Sequence, residues 1–420
     1  MNKNIAVIIL AAGRGERMKS KKSKVLHPIC GRPMLSFVLD LVKALKINRQ
    51  VVVLGHKYQE VKKLIPLGVK IVIQKRLLGT ADAVKEALKA LSNFKGTVLI
   101  LYGDIPLLKK ETLSKLLKYH HENNLDATLL TAQLDKPAGY GRIIRDKYAS
   151  ICAIAEEKDA DDYQKDIKEI NTGIICFNKD RLVSVLKYVR PNNRKKEYYL
   201  TDTIGILYKN NCLIDALRIA DINEALGINS RQDLSKANRI MQQRINEELM
   251  KEGVTIIDPE STFISYSTQV GEDTTIYPFT VIESNVKIGK SCLVGPFAHL
   301  REGTELDNDV VVGNFIEIVR SKIRSKTLAK HFCYLGDSRI GKSVNIGAGT
   351  VTANFDGKNK GVTIIKDQAA IGSDTILVAP VKIGRRALTG AGSVIAKNKN
   401  VGDGTVVVGV PARPLTKKKR

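Results

Sequence analysis

Apolar residues fall along this chain in two different rhythms. Through about the first 225 residues, short apolar runs alternate with amphipathic stretches. Segments 5–10, 50–54, 69–73, 98–102 and 127–132 read as strands, and 34–45, 81–91 and 112–119 read as helices between them. Strands alternating with helices predict an α/β fold on a largely parallel sheet, with ligands beyond the carboxyl ends of the strands. Residues 231–252 keep helical spacing without Gly or Pro, and Gly253 follows as a stop.

The second rhythm has a period of six. Ile264, Val270, Ile276, Ile282, Ile288, Val294, Leu300, Leu306, Val312 and Ile318 are evenly spaced. The register returns at Ile340 and Ile346, then at Ile371, Leu377 and Ile383, and runs past Thr389 to Ile395 and Val401. No helix has that period. It predicts a parallel β-helix in which each hexad supplies one short face and its aliphatic residue points inward. Stretches 324–332 and 352–362 break the period and read as surface loops. The first carries His331, and the second carries Asn354-Phe-Asp-Gly-Lys-Asn-Lys360, so chemistry is expected there.

Composition narrows the field only a little. The net charge of +25 favours anionic partners, but the lysines are dispersed, and aromatics at 5% with no Trp are poor material for base stacking. A specific nucleic-acid function is not expected; small anionic substrates fit the charge equally well. Six scattered cysteines form no CxxC pair, which argues against a zinc site or a disulfide framework. No run of 18 apolar residues predicts a membrane span, and the first residues lack the pattern of a signal peptide. A cytoplasmic protein is the expectation.

The first predicted strand runs into Leu10-Ala-Ala-Gly-Arg-Gly-Glu-Arg-Met18. Gly13 and Gly15 suit close approach of backbone N–H groups to phosphates, but Met18 stands where a dinucleotide fingerprint has its third glycine. A nucleoside-triphosphate loop and a plain strand-to-helix turn both remain open on these residues alone. The turn Tyr102-Gly-Asp-Ile-Pro106 ends another predicted strand, where Asp104 is either a metal ligand or a turn former.

Further motifs follow in order: Lys24-Val-Leu-His27, Gln74 with Gly79-Thr80, Gly139-Tyr-Gly-Arg142, Glu169-Ile-Asn-Thr-Gly173 and Glu197-Tyr-Tyr-Leu-Thr-Asp202. The second half adds Gly313-Asn-Phe315, His331, Tyr334-Leu-Gly-Asp337, Asn345-Ile-Gly-Ala-Gly-Thr350 and Gly372-Ser-Asp-Thr375. With these, the whole chain resembles the bifunctional bacterial GlmU family, which makes UDP-N-acetylglucosamine. The resemblance implies a Rossmann-like uridylyltransferase domain of nucleotide-diphospho-sugar-transferase type over 1–228. A linker helix over 229–252 and a left-handed β-helix acetyltransferase over 253–420 complete the implied layout. It also implies a cytoplasmic homotrimer serving cell-wall (peptidoglycan) synthesis.

For the first site the resemblance implies that Leu10, Ala11, Ala12 and Gly13 cradle UTP while Arg17 and Lys24 neutralise its phosphates. Gln74, Gly79 and Thr80 would read uracil, with Tyr102 beside them. Gly139, Glu156, Asn171 and Thr201 would hold the sugar, with Glu157 a close competitor of Glu156. Asp104 and Asn229 would bind Mg²⁺. Ser23 replaces a usual proline.

For the second site the resemblance implies His331 as the base that deprotonates the amine of glucosamine 1-phosphate, oriented or polarised by Glu317. Arg301, Tyr334, Asn345 and Lys360 would contact the sugar phosphate. Ala348, Asn354, Phe355, Ser373 and Ala391 would contact acetyl-CoA, the acetyl donor. Three positions depart from the family pattern: Val319 stands where a lysine is usual, Phe355 replaces a tyrosine, and Gly409 sits near the place of a late arginine. They leave an alternative open, a uridylyltransferase whose β-helix is only a trimerising scaffold or accepts another amino sugar.

Overall fold

A computed structural model describes residues 4–415 of the chain. The chain divides into two compact units, 1–238 and 239–420. The division falls inside the helix Arg231–Lys251, so this one helix contributes to both.

The N-terminal unit is built on nine strands: β1 Ile5–Ala11, β2 Arg49–Leu54, β3 Lys70–Ile73, β4 Thr97–Tyr102, β5 Ala127–Gln133, β6 Gly141–Arg145, β7 Ile151–Ala155, β8 Glu169–Asn178 and β9 Ile214–Arg218. The main order is β9-β5-β8-β4-β1-β2-β3, with β6 paired to β8 and to β7. β1 is central and parallel to β2 and β4, and its seven residues are all buried. Burial on both faces explains why it reads as one continuous apolar run rather than an alternation. β8 runs antiparallel to both its main neighbours, so the sheet is mixed where a largely parallel one was expected. The first helix, Met34–Ala44, packs seven buried residues and ends within a residue of its predicted limit.

The C-terminal unit is a three-sided parallel β-helix. Its short strands fall into three sheets, and up to the last coil each strand pairs with the third one after it. Ile264 pairs with Ile282 and that with Leu300, eighteen residues apart each time, so three hexads make one coil. The hexad positions form one buried aliphatic column from Ile256 to Val407. Corner threonines close the turns: the hydroxyls of Thr274, Thr304 and Thr327 donate to the carbonyls of Gly289, Ile318 and Gly341. Asn246, on the later half of the long helix, is fully buried and donates to the Pro259 and Thr262 carbonyls of the first coil. That helix ends at Gly253, whose φ of 92° is the left-handed stop that a glycine accepts without strain.

In the β-helix, one expectation is corrected. Stretch 324–332 is not a loop. Leu328–Ala329 is a regular strand, paired with Val311–Val312 below it and Asn345–Ile346 above it. The period breaks because one residue is omitted at two corners, between Ile318 and Ile323 and again between Leu335 and Ile340. The affected coils are seventeen residues long, as in Ile318 with Leu335 and Ile323 with Ile340. His331 therefore stands on a regular corner of the β-helix, between the strands Leu328–Ala329 and Cys333–Gly336. The stretch after Thr352 is a true insertion: Ile340 pairs with Ile365, twenty-five residues on, and the extra chain folds back through a Phe355–Lys360 bridge.

Candidate active sites

The first candidate site forms where β1 and β4 end. β1 delivers buried Leu10, Ala11 and Ala12, and Gly13 follows with open space on its Cβ side. Gly15 has a different role from the one its motif suggests. Its φ is 66°, and a Cβ there would come within 2.6 Å of the Lys24 Cβ, so the glycine lets Lys24 lie against the loop. The Lys24 ammonium donates to the Asp104 carboxylate and, at 2.7 Å, to the Asn229 carbonyl oxygen. Asp104 follows β4, and its carbonyl accepts from Ile228 N. Asn229 is fixed by Asp233, which accepts from the backbone N–H of Asn229 and Ser230 at 2.9 and 2.8 Å. Arg17 is exposed on the 3₁₀ turn Glu16–Met18.

Beside this cluster a second group of motifs meets. Gln74 is buried, and its amide nitrogen donates to the Gly79 carbonyl and the Asp82 carboxylate. Gly79 has φ 121°, and a Cβ there would strike the Tyr198 carbonyl at 2.4 Å. That contact, with Leu200 N donating to Thr80 Oγ1 at 2.9 Å, lays the Gly79-Thr80 turn against the segment Tyr198–Thr201. Thr80 and the Tyr102 phenol are hydrogen-bonded, while burial pushes the Tyr102 pKa well above its ordinary value. Gly173 leaves room for the Tyr102 ring; a Cβ would meet it at 2.9 Å.

The Thr201 hydroxyl donates to Glu156 at 2.9 Å, and burial raises the Glu156 carboxyl above its usual range. Glu157 instead pairs with the Arg142 guanidinium at 2.8 Å. Arg142 is 1% exposed and spends its remaining donors on backbone carbonyls of Tyr140 and Lys165. The geometry thus separates the two competing glutamates: one is bonded to a sugar-site candidate, the other neutralises a buried cation. Asn171 is buried on β8, its carbonyl oxygen accepting from Gly173 N, and Gly139 is open on its Cβ side with φ 90°.

The second candidate site is assembled by the coil repeat. Glu317 lies between His299 below and Tyr334 above on one face of the β-helix. Arg301 NH1 donates to Glu317 at 2.8 Å, which raises the arginine pKa further. His331 is exposed on the corner that precedes Tyr334. Above that corner, Gly349 N donates to the Phe332 carbonyl, Asp374 N to Ala348 and Gly392 N to Ser373. Ala348, Ser373 and Ala391 therefore follow one another, coil upon coil, above His331. Asn345 is exposed on the face before the corner.

Asn354 sits apart from the acetyl-CoA candidates. It is buried, its amide nitrogen donates to Asp337, and its carbonyl accepts from Gly361 N at 2.7 Å, so it anchors the inserted loop. Phe355 and Lys360 face each other as exposed residues of that loop. Val319 is 3% exposed on the same side of its strand as Glu317. The next residue, Arg320, is bound by Asp337 through two hydrogen bonds of 2.6 and 2.8 Å. That pairing, above all, holds the Asp337 pKa below the carboxylate range. Gly409, at φ 95°, begins the turn by which the chain folds back as Arg413–Pro414 against Val406–Val408.

Known proteins match both units. Residues 7–167 match the MobA-like NTP transferase domain, and residues 267–301 match the bacterial transferase hexapeptide repeat. The bifunctional protein GlmU of Thermosipho africanus is 47% identical over 93% of this chain and 92% of its own. That of Shouchella clausii is 42% identical over 92% and 93%. That of Listeria monocytogenes (serotype 4a) is 40% identical over 95% and 94%. The chain belongs to the GlmU family.

GlmU enzymes are bifunctional transferases of UDP-N-acetylglucosamine synthesis, and this chain has both parts: a nucleotidyltransferase unit and a hexapeptide acyltransferase unit. Membership implies small-molecule substrates, a metal for nucleotidyl transfer and acetyl-CoA as acetyl donor. Among the described residues no helix is long and apolar enough to cross a membrane. The donor set of the first site fits a hard divalent cation. A carboxylate and an amide oxygen, from Asp104 and Asn229, converge on one ammonium, and all-oxygen sets select such ions. Reading the GlmU motifs alone misses Arg142, Arg231, Asp202 and Asp337. Arg142, Asp202 and Asp337 each close one of those motifs with no role assigned, Arg231 lies in none of them, and nothing in their spacing signals burial or pairing.

Proposed function

We propose that this chain carries out the last two steps of UDP-N-acetylglucosamine synthesis, one in each unit. In the C-terminal unit the amine of glucosamine 1-phosphate attacks the thioester carbonyl of acetyl-CoA. The C–S bond breaks, CoA leaves as the thiolate, and His331 takes the amine proton, which then passes to the sulfur to give the thiol; an imidazole is suited to that role near neutral pH. Glu317, held by Arg301, faces the same coil, and Tyr334, Asn345 and Lys360 bind the sugar phosphate. Ala348, Ser373 and Ala391 line the corner column along which acetyl-CoA lies, with Phe355 at its edge.

In the N-terminal unit a phosphate oxygen of N-acetylglucosamine 1-phosphate attacks the α-phosphorus of UTP. The bond to the bridging oxygen of the β-phosphate breaks, and pyrophosphate leaves. Such transfers depend on positioning and charge neutralisation more than on covalent chemistry. Gly13 opens the loop to the phosphates, Arg17 and Lys24 neutralise them, and Lys24 leaves Asp104 to do so. Gln74, its amide nitrogen already committed, offers its carbonyl oxygen to the uracil N3–H. Gly79 and Thr80 shape the base pocket, and Glu156, Asn171, Thr201 and Gly139 hold the sugar. Mg²⁺, held by Asp104 and Asn229, supplies charge stabilisation to the reacting phosphates. We further infer a cytoplasmic homotrimer, the state in which a corner column on one subunit is completed by the next.

The observation that carries this reading is the convergence of Lys24, Asp104 and Asn229 on one point. Its test is a paired assay on the full chain: pyrophosphate release from UTP with N-acetylglucosamine 1-phosphate, and thiol release from acetyl-CoA with glucosamine 1-phosphate. Both are expected, the first dependent on Mg²⁺. Absence of the first overturns the reading of the N-terminal site.

A second reading is favoured by Val319 and Arg320 together. An enclosed valine stands in place of the usual lysine, and the neighbouring cation is spent on Asp337. On that reading the β-helix binds another amino sugar or serves as a scaffold. Thiol release with glucosamine 1-phosphate at ordinary concentrations excludes it.

A further inference from the structure

The two cations of the nucleotide site sit on separate turns, and each turn has only a few backbone hydrogen bonds of its own. Arg17 belongs to the single 3₁₀ turn Glu16–Met18, and Lys24 opens another, Lys24–Leu26. Each is closed by only a pair of backbone bonds, such as Met18 N to Gly15 and Leu26 N to Ser23. Such turns are short and weakly held. Lys19, Ser20, Lys21 and Lys22, mostly exposed, form the link between them. Within the segment, only the packing of Lys24 against Gly15 joins the two turns, and a bond from outside it adds a second tie.

Arg231 touches both. Its Nε donates to the Met18 carbonyl at 3.2 Å, next to Arg17. Its NH1 donates to His27 Nδ1 at 3.2 Å, one turn beyond Lys24. The anchors are firm, since Met18 and His27 are both buried. The helix start that carries the arginine is firm too, although Arg231 itself is exposed. It is the first residue of the helix Arg231–Lys251, whose start is fastened by Asp233 accepting from Asn229 N and Ser230 N. Asn229, two residues before it, meets Lys24 directly. A guanidinium presents its donors in a rigid planar fork, which a flexible lysine cannot reproduce across two acceptors.

We propose that Arg231 is a positioning residue for uridylyl transfer. It clamps the Arg17 turn to the Lys24 turn, so that both cations meet the triphosphate at a fixed spacing. It touches neither substrate nor reacting atoms. The proposal rests on reading Arg17 and Lys24 as phosphate-binding groups.

The test is steady-state kinetics of both half-reactions on full-length Arg231→Ala and Arg231→Lys. A loosened pair of cations lowers kcat/KM for UTP by roughly tenfold to a hundredfold, the cost of misplacement by about an ångström. KM for N-acetylglucosamine 1-phosphate stays near its original value. Acetyl transfer, carried by the other unit, stays unchanged and reports that the chain has folded. Millimolar guanidinium or methylguanidinium, far below denaturing levels, restores part of the UTP activity of Arg231→Ala. Arg231→Lys stays impaired because it holds only one turn. The proposal falls if Arg231→Ala keeps kcat/KM for UTP within about twofold. It falls equally if both substrates suffer alike and guanidinium restores nothing, which marks a purely structural loss. Arg17→Ala and Lys24→Ala serve as controls. If they leave UTP kinetics intact, the site reading itself has failed; if they are impaired while Arg231→Ala is not, only the clamp has.

Discussion

The two candidate sites of this chain are built on opposite plans. In the nucleotide unit, Lys24 meets Asp104 and Asn229 across 80 and 205 residues of sequence, and the open sheet brings them together. In the β-helix, Arg301 meets Glu317 across 16 residues, and the coil length alone brings them together. The first cluster is largely enclosed, with side-chain exposures of 11% and 21% for Lys24 and Asp104. The second is open, at 43% and 39% for Arg301 and Glu317. Enclosed charges depend on each other, because a lone charge in a poorly solvated place is costly. Open charges are screened, and each is nearly indifferent to the loss of its partner. The nucleotide site is therefore expected to behave as one unit under mutation, and the acetyl site as a set of separable contacts.

The largest effects test whether the two sites are independent at all. His331→Ala should lower acetyl transfer by about 10²–10⁴-fold, the usual worth of a general base, and leave uridylyl transfer untouched. Lys24→Ala should lower uridylyl transfer by about 10²–10³-fold and leave acetyl transfer untouched. Lys24→Ala also probes the enclosed cluster without turnover. It removes the ammonium that Asp104 and Asn229 now hold, so Mn²⁺ binding to the nucleotide-free protein should tighten by about tenfold. Free-ion electron paramagnetic resonance reads that change directly. Weaker Mn²⁺ binding would mean that the two oxygens do not form the metal site.

The same contrast decided how much the sequence reveals. The hexad period made the β-helix legible because each coil repeats the same inward position, and strands such as Val281–Ile282 and His299–Leu300 fall where the period puts them. The misreading of 324–332 has a simple cause. The residue omitted between Ile318 and Ile323 shifts the phase by one, and Ala329 is too small to stand out as the inward residue. In the nucleotide unit the strands were legible from apolar runs, but the antiparallel insertion of β8 between β4 and β5 was not, because pairing direction leaves no local mark. Gly13, Gly15, Asp104 and His331 stood out as candidates by themselves, but the roles of the other candidate residues were readable only through family motifs. Nothing in the motif that Arg142 closes marks it as buried beside Glu157, and the contacts of Arg231 with Met18 and His27 span 213 and 204 residues, so neither could be told from a surface arginine.

A smaller but sharper effect concerns the corners. Gly313 precedes the Asn314-Phe315 corner, and a Cβ there would lie 1.9 Å from the Lys330 carbonyl oxygen of the next coil. The clash is with backbone, so the coils must part locally. Gly313→Ala should destabilise the β-helix by about 1–3 kcal/mol, the usual cost of overpacking. In a solenoid the damage spreads mainly to neighbouring coils. The coil above is the one that carries His331, so acetyl transfer should fall while uridylyl transfer holds. Differential scanning calorimetry should show only one of two transitions moving. If both transitions shift together, the two units are not thermally separable, and the comparison drawn above loses its footing.

The smallest effect lies at the sugar side of the nucleotide unit. Asp202 begins the helix Asp202–Lys209, where the helix dipole favours a charged carboxylate. Burial opposes it and wins, and the charges of Glu156 and Asp159 add to the rise, taking the Asp202 pKa from 3.8 to about 6. A carboxyl raised in the folded state binds more protons there than in the unfolded chain throughout that interval. Stability is then present at low pH and lost as pH rises from about 4 to about 6. Asp202 is partly exposed, so after solvent screening the loss is only about 1 kcal/mol. Asp202→Asn removes the titration and keeps the shape. The thermal transition that UTP shifts identifies the nucleotide unit, and its midpoint should fall less steeply over this window in the variant. Glu156 is raised in the same sense, so the slope shrinks without vanishing. An unchanged slope would mean that Asp202 is already charged below pH 5, with the helix dipole outweighing burial after all.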